Sequence, residues 1–396
     1  MIQPKYETVQ EAAERLGVTV RAIQKWAKEG KIFGARKMGR DWQIPADAYH
    51  PGVSCRVNAE GQRVVTGFPL PLINAAFTPG EAKAFVDAME NEDERVLAQG
   101  ELLYFSGHPA EAAALLSPYL DSQVPWQRLS AEIVCIFAYL SLDRLHLAQF
   151  SIDRLRDQLH EDLHDDITPE LRAVRVFAAT LVAVELHFPL EKIPPLDEHL
   201  RYLPEGLRLF GCYILAHIAY LRHDYARALG IAQAALCFVS QQHPLPKIYM
   251  HLISAACHMS LKQVDAAKQH VAAAWALAAP DGLVSPFGEF HSLLQGLSEL
   301  LFRKEGGVSA ALVREVTNRY GKGWREMHNR IADRQVTQVL TPTEFTVAML
   351  YHRGWHAREI AEHMELSERT VKNYLQVVYE KLQINGKKEL EKYMMQ

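Results

Sequence analysis

The 396-residue chain predicts a mostly α-helical protein in three parts, and three observations carry that prediction. Each end shows short apolar-periodic runs separated by tight turns, with residues that cap helices at the expected positions. Between the ends, from about residue 80 to 330, the helical period continues almost without interruption. Within that region four stretches, SGHPAEAAALL, LDRLHLAQFSI, RHDYARALGIA and LKQVDAAKQHV, share one layout: a helix break, an alanine, then an apolar helix. The expected domains are residues 1–50, a linker at 51–79, a helical-repeat region at 80–330 and a C-terminal unit at 339–396.

At the N-terminus, Thr8-Val9-Gln10-Glu11 has the spacing of a capping box, in which Thr8 caps a helix and Glu11 reaches back. Ala12, Ala13 and Leu16 form its apolar face, and Gly17 turns the chain. Thr19 caps a second helix anchored by Val20, Ile23, Trp26 and Ala27, with Arg21, Gln24, Lys25 and Lys28 facing outward. After Gly30, Ile32-Phe33, the stretch Gly34–Gly39 with Arg36, Lys37 and Arg40 around it, and Trp42-Gln43-Ile44-Pro45 read as a two-stranded wing. The pattern T-V-Q-E-A-A-E-R-L-G-V-T-V-R-A-I-Q-K-W... G-R-D-W-Q-I-P resembles the excisionase/MerR-like winged helix-turn-helix; Met38 and Gln43 depart from it. The resemblance implies that Arg21, Gln24 and Lys25 meet base edges, with Lys28 on the same face. It implies that Arg36, Lys37 and Arg40 meet the DNA backbone. Residues 1–50 carry nine basic and six acidic side chains, a net +3, clustered as a phosphate-contacting surface requires.

The linker is rich in proline and glycine, with a short strand expected around Arg63–Val65. In the repeats the aligned alanines are Ala112, Ala148, Ala228 and Ala267, spaced by 36, 80 and 39 residues. Eighty is about two units of a period in the high thirties, with a degenerate unit expected around Pro189–Leu203, where Pro194-Pro195 interrupts the helix. Small residues at one helical position let paired helices approach closely. The region looks like a tetratricopeptide-type solenoid, similar to the sensor part of MalT-like LuxR regulators. An irregular all-α bundle is the competing expectation. A solenoid would present a concave surface able to hold an effector or a protein partner, with Tyr104, Tyr139, Tyr213, Tyr220, Tyr249, Trp126 and Trp275 as aromatic anchors, most of them expected within repeats. Residues 51–338 are net −7, so DNA is not their natural partner.

The C-terminal unit opens with Thr341 as N-cap and Pro342 at the first helical position, where its missing N–H costs nothing. Val347, Leu350 and Tyr351 give an apolar face before Gly354 stops the helix. A second helix, Arg358 to Met364, buries Ile360, Ala361 and Met364. Leu366 turns the chain, and Ser367 caps a third helix through Thr370, Val371, Leu375, Val378 and Leu382. Helix, tight turn and helix is the geometry that lays a recognition helix in the major groove. The stretch L-T-P-T-E-F... G-W-H-A-R-E-I-A-E-H-M-E-L-S-E-R-T-V-K-N-Y-L resembles the four-helix LuxR-type (GerE/FixJ-like) helix-turn-helix of bacterial regulators. That resemblance implies that Thr370 holds a phosphate, Lys372 reaches backbone or base edges and Val371 faces base methyl groups, with Arg369 and Asn373 on the same surface. Thr346, Tyr374 and Val377 depart from the family pattern, and Thr346 is expected to loosen internal hydrogen bonds. From Val339 onward eight basic residues balance eight acidic ones. Such a head needs dimerisation or a second contact, and a last helix, Lys388 to Met395 with Leu390, Tyr393 and Met394, is expected to supply a homodimer contact.

Several absences narrow the function. The chain lacks G-x-x-x-x-G-K-[ST], and Gly321-Lys322-Gly323 has neither the spacing nor the hydroxyl of a phosphate loop. No βα alternation precedes the C-terminal unit, so no receiver domain is expected. Cys55, Cys135, Cys212, Cys237 and Cys257 lack C-x-x-C spacing, and four of them fall in apolar helical contexts that favour buried, reduced thiols. His160, His164 and Asp165 have helical spacing for a metal but sit in an acidic segment that reads as solvated; His217, His251 and His258 read as satisfied core or edge residues. No cofactor, metal, enzymatic activity, membrane span or leader is expected. The sequence therefore predicts a cytoplasmic, double-stranded-DNA-binding transcription regulator. Its alternative is a helical-repeat scaffold with little DNA affinity.

Overall fold

The computed structural model describes residues 6–15, 19–28, 32, 35–39, 41–45, 54–57, 63–66, 68–162, 169–238, 242–331, 339–390 and 393–394. Leu16, Gly17, Gly30, Phe33, Gly34, Arg40, His164 and Asp165 lie outside them, as do the side chains of Cys55 and His160.

The N-terminal unit runs β1 (Tyr6–Thr8), α1 (Val9–Arg15), α2 (Val20–Lys28), β2 (Arg36–Met38) and β3 (Asp41–Pro45). The capping box at its start is complete: Thr8 N–H donates to Glu11 Oε2 at 2.7 Å and Glu11 N–H donates to Thr8 Oγ1 at 3.2 Å. Thr19 Oγ1 accepts from Ala22 N–H at 3.3 Å at the head of α2. The sheet has the order β1-β3-β2, all antiparallel, with Glu7 opposite Ile44 and Lys37 opposite Trp42. Strand β1 adds to the two-stranded wing that the sequence predicts, because three residues are too few for an alternation to show. Ala12, Ala13, Ile23, Ala27, Ile32 and Ile44 form a small core of their own. Beyond it, β4 (Ser54–Val57) and β5 (Arg63–Thr66) pair antiparallel, so the strand expected near Arg63–Val65 has a partner.

The body begins earlier than the predicted 80. At α3 (Pro71–Asn74), Leu72 and Ile73 N–H donate to the Glu101 carboxylate at 3.1 and 2.9 Å, and Leu70 N–H donates to Ser130 Oγ at 2.9 Å. Leu70, Leu72, Ile73 and Phe77 are buried in the main core. The end of the predicted linker is therefore packed chain, held by side chains some thirty and sixty residues away that local sequence does not reveal.

The body continues through α4 (Ala82–Asp87), α5 (Glu92–Phe105), α6 (Pro109–Leu116), α7 (Pro125–Ser141), α8 (Leu145–Asp162), α9 (Pro169–Glu185), α10 (Leu196–His199), α11 (Glu205–Leu221), α12 (Tyr225–Phe238), α13 (Pro244–Ser260) and α14 (Val264–Ala278). Four helical hairpins, α5/α6, α7/α8, α11/α12 and α13/α14, use one turn. Its middle residue is left-handed each time: Gly107, Asp143, His223 and Lys262, with φ of 84, 59, 61 and 59°. The next N–H closes each turn by donating to a carbonyl in the last turn of the first helix: His108 to Leu103, Arg144 to Tyr139, Asp224 to Ala219 and Gln263 to His258. This is the Schellman geometry that satisfies the last carbonyls of a helix. The aligned alanines 112, 148, 228 and 267 are all buried one turn into each second helix, where a larger side chain would push the pair apart. After α9 the same turn recurs at His187, but the proline-interrupted segment that follows yields only the four-residue α10.

Four further helices follow: α15 (Ser285–Glu289), α16 (His291–Leu294), α17 (Leu297–Glu305) and the 25-residue α18 (Gly307–Ile331). The last packs against α7 and α15. Gly323 makes its approach to α7 possible, since a Cβ there would lie 2.0 Å from the Leu140 carbonyl oxygen. The C-terminal unit comprises α19 (Pro342–His352), α20 (Ala357–Met364), α21 (Glu368–Leu382) and α22 (Lys387–Leu390).

Cys135 and Cys257 are buried and Cys212 is half-buried, but Cys237 is exposed, on the outer side of α12. The apolar context of Cys237 misleads because α12 buries only a narrow stripe, Ala228 and Ala232 among its residues. No helix among the described residues is long and apolar enough to cross a membrane.

Candidate nucleic-acid interface

In the N-terminal unit, burial of Ile23 and Ala27 against the sheet leaves Arg21, Gln24, Lys25 and Lys28 exposed on the opposite side of α2. Arg36 and Lys37 are exposed on β2. Arg36 is partly engaged within the unit: its guanidinium lies 3.7 Å from the centre of the Tyr6 ring and its Nε donates to Gln43 Oε1 at 3.0 Å. Lys37 points to the other side of the strand.

The C-terminal unit is built by three caps. Thr341 and Glu344 form a full capping box at α19, with Pro342 at its first position. His356 N–H donates to Glu359 at 2.7 Å before α20, and Ser367 Oγ accepts from Thr370 N–H at 3.0 Å before α21. Gly354, at φ 85°, ends α19. Between α20 and α21, Glu365 is left-handed and Leu366 N–H bonds back to Ala361, giving the tight turn. Glu344 also receives Lys381 Nζ at 2.7 and 2.9 Å, clamping α19 to α21. Burial opposes the charge on Glu344, but Lys381 and Thr341 together hold its carboxyl below its ordinary pKa.

Ile360, Ala361 and Met364 are buried as expected. Arg369, Lys372 and Asn373 are exposed along one side of α21, and Thr370 is half-buried with its hydroxyl 2.7 Å from Ser367 Oγ. Lys372 pairs with Glu368 at 2.6 Å. Val371 does not belong to that surface. Its side chain is wholly buried in the main core, because it sits with Leu375 and Val378 on the helix's apolar stripe, so it seats α21 and does not face base methyl groups. The last helix also differs from expectation. Leu390 and Met394 are buried in the unit's own core beside Phe345 and Met349, which removes them from any pairing surface.

Sequence reasoning misses the seam between this unit and the body. Arg353 reaches Ser260 Oγ at 3.0 Å and Tyr220 Oη at 3.3 Å. Lys262 Nζ donates to the Gly354 carbonyl at 3.3 Å and stands over the Trp355 ring. His363 Nε2 lies 2.7 Å from the Gln295 carbonyl, and Arg303 donates to the Met364 carbonyl at 3.3 Å. Thr346, expected to loosen the unit, is buried and directs its hydroxyl to Glu299 of α17 at 3.4 Å. A histidine three residues after Ile360, on a buried face, is the one sequence signal that could have pointed to this seam. The contacts come from α19, α20 and the turn between them, and Arg369, Lys372 and Asn373 of α21 remain exposed.

Residues 338–394 match the family model described as bacterial regulatory proteins, luxR family, and residues 8–48 match the model of a helix-turn-helix domain. No curated protein and no solved structure matches the chain. The two terminal matches point to a DNA-binding helix-turn-helix regulator, and the luxR-type domain favours a regulator over an enzyme.

Proposed function

We propose that the chain is a transcription regulator that reads double-stranded DNA with both terminal units, under the control of an effector or partner held by the helical body. The observation that carries this reading is the C-terminal unit. Its core runs into the body through Val347, Leu350, Trp355, Ile360 and Met364, while Arg369, Lys372 and Asn373 of α21 face solvent. A rearrangement of the body would therefore re-aim the recognition helix. In this reading the repeated hairpins are a tetratricopeptide-like solenoid, and α1, α2 and the β2–β3 hairpin are a MerR-like winged helix-turn-helix. Arg21, Gln24, Lys25, Lys28, Arg36, Lys37, Arg40, Arg369, Thr370, Lys372 and Asn373 are the DNA-contacting residues. A homodimer in the cytoplasm, spanning half-sites about 10 bp or a multiple apart, supplies the second contact that a head of zero net charge needs.

The test is fluorescence anisotropy of the full chain on DNA selected from a random pool, at two salt concentrations. Lys25→Ala/Lys28→Ala and Arg369→Ala/Lys372→Ala should each weaken binding. Each should also flatten the salt dependence, by about one unit of slope for every phosphate no longer neutralised. Folded variants that bind like the parent would sink the reading. One observation favours the scaffold alternative for the C-terminal head alone: its even charge, with Lys372 already paired to Glu368.

A further inference from the structure

Two of the body's aromatic anchors are taken up by the chain itself. Tyr104 of α5 and Tyr249 of α13 donate to Glu289 of α15, and Trp324 of α18 donates to the Glu185 carbonyl at the end of α9 at 2.7 Å. An effector needs another place. A groove of about 350 Å³ runs between α17 and α18 and reaches Pro342 and Thr343 at the head of α19. Its size falls within the range of small-molecule sites, about 300–1,000 Å³, and body and C-terminal unit bound it together.

Each helix gives the groove one stripe. Glu299 and Arg303 stand one turn apart on α17, and Arg314 and Asn318 one turn apart on α18. The chain reverses between the two helices through Gly306 and Gly307, both left-handed at φ 65°. Arg303 and Arg314 therefore share one end of the groove, with Glu299 and Asn318 at the other. Beside the arginines the buried Phe302 and Val313 make an apolar floor. The acidic end is engaged: Glu299 Oε1 lies 2.7 Å from His291 Nε2 and accepts from the Thr346 hydroxyl at 3.4 Å. The basic end is not. Among the described residues Arg314 is exposed and has no hydrogen-bond or ion-pair partner. Arg303 donates to the Met364 carbonyl at 3.3 Å and stands 3.9 Å from Glu365, which Lys304 already approaches at 3.4 Å. Guanidinium forks match the planar geometry of a carboxylate.

We propose that this groove binds a small monocarboxylate with an apolar chain, its carboxylate held by Arg303 and Arg314 and its chain lying against Phe302, Val313 and Pro342. An ammonium ligand would meet two guanidinium groups at the apolar end. An uncharged chain would leave both of them unused, and inorganic phosphate would leave the floor uncovered. Arg303 links the groove to the C-terminal unit. In turning to a ligand it gives up Met364 and Glu365, at the tight turn between α20 and α21. The site names the effector class for the sensing reading above, and rests on that reading only for its consequence at DNA.

The experiment is calorimetric titration of the full chain with sodium hexanoate, hexan-1-ol, hexylammonium chloride and sodium phosphate. Hexanoate should saturate one site at least about tenfold more tightly than the alcohol, as expected for hydrogen bonds to charged groups, and should raise the Tm. Arg314→Gln, at an exposed position without partners, should weaken hexanoate about tenfold, and Arg314→Lys should recover part of the loss. Arg319→Gln removes the same charge from a residue paired with Glu315 outside the groove, and should leave hexanoate binding unchanged. Absence of saturation, equal binding of the alcohol or the amine, or tighter binding of phosphate overturns the site. So does a folded Arg314→Gln with unchanged affinity, or an equal loss in Arg319→Gln. Hexanoate binding that leaves DNA affinity unchanged upholds the site and sinks effector control. DNA binding by a chain that takes no hexanoate overturns the site and leaves the DNA reading standing.

Discussion

The N-terminal unit folds around six small and branched side chains of its own, whereas the C-terminal unit has a cluster around Phe345 and Met349 and a second set of side chains, among them Val347, Leu350 and Ile360, continuous with the core of the body. Their charges differ in the same sense. The first carries a net +3 with Lys25, Lys28 and Lys37 exposed. The second is neutral overall, and its Lys372 and Lys381 are committed to Glu368 and Glu344. A unit that attracts phosphates by charge needs little help in orientation, but its affinity falls steeply with salt. A neutral unit must gain from being held in one orientation, and the seam at Arg353, Trp355 and His363 provides that restraint. The comparison teaches that two heads of similar size can depend on different parts of the molecule, one on its surface and the other on its neighbour.

The sharpest way to break this comparison is Trp355→Ala. The ring is buried at the seam, and removing a packed tryptophan costs about 3–5 kcal/mol. Chemical denaturation should show that loss in the main transition; a loss confined to a separate C-terminal transition would mean that the cores are not continuous. Next in size is a pH effect specific to the body. Burial pushes the Glu101 carboxyl up to about 8, against the N–H donors of Ile73 and Leu72 that lower it. The unfolded chain ionises near the ordinary value of 4.5 and the folded chain only near 8, so stability should fall as pH rises between those values. Glu101→Gln should flatten that slope in a series of thermal melts.

The C-terminal unit should respond in the opposite direction. Glu344 is held below its ordinary pKa of 4.5 despite its burial, so its contribution is present above that value and is lost as pH falls through the folded one. Glu344→Ala should cost about 1.5–3 kcal/mol at neutral pH by removing its charged hydrogen bonds from Thr341 N–H and Lys381, and should lessen the acid-side loss, to which Glu359 and Glu368 also contribute. Smaller still is Arg353→Ala, where the loss of hydrogen bonds to Ser260 and Tyr220 should cost about 1 kcal/mol. Its informative readout is anisotropy: C-terminal DNA affinity should drop while the N-terminal salt slope stays unchanged. An equal effect on both heads would erase the distinction between them.

Much of the local structure is legible because capping and turning are short-range. Thr8, Thr19, Thr341 and Ser367 cap helices because a side-chain oxygen meets an N–H two or three residues on. Gly354 ends a helix because the left-handed position suits it. The alanines at 112, 148, 228 and 267 mark hairpins because close helices tolerate only small side chains. Sequence reasoning fails where a residue's surroundings come from far along the chain. Val371 resembles a base-contacting residue, but its neighbours place it in the core. Leu390 and Met394 resemble a pairing surface, but Phe345 and Met349 cover them. Cys237 sits in an apolar run, yet α12 buries only a narrow face.

The sequence by itself determined the two helix-turn-helix ends, the helical hairpins between them and the sign of charge on each part, since caps, periodicity and composition act over a few residues. Only the tertiary structure decided that residues 68–77 belong to the body and that Thr346, Arg353 and His363 form a seam. It alone brought Arg353 to Ser260 and Tyr220, 93 and 133 residues away along the chain. The physical reason is that burial and charge pairing depend on which surfaces meet, and no local pattern records a neighbour supplied by a distant helix.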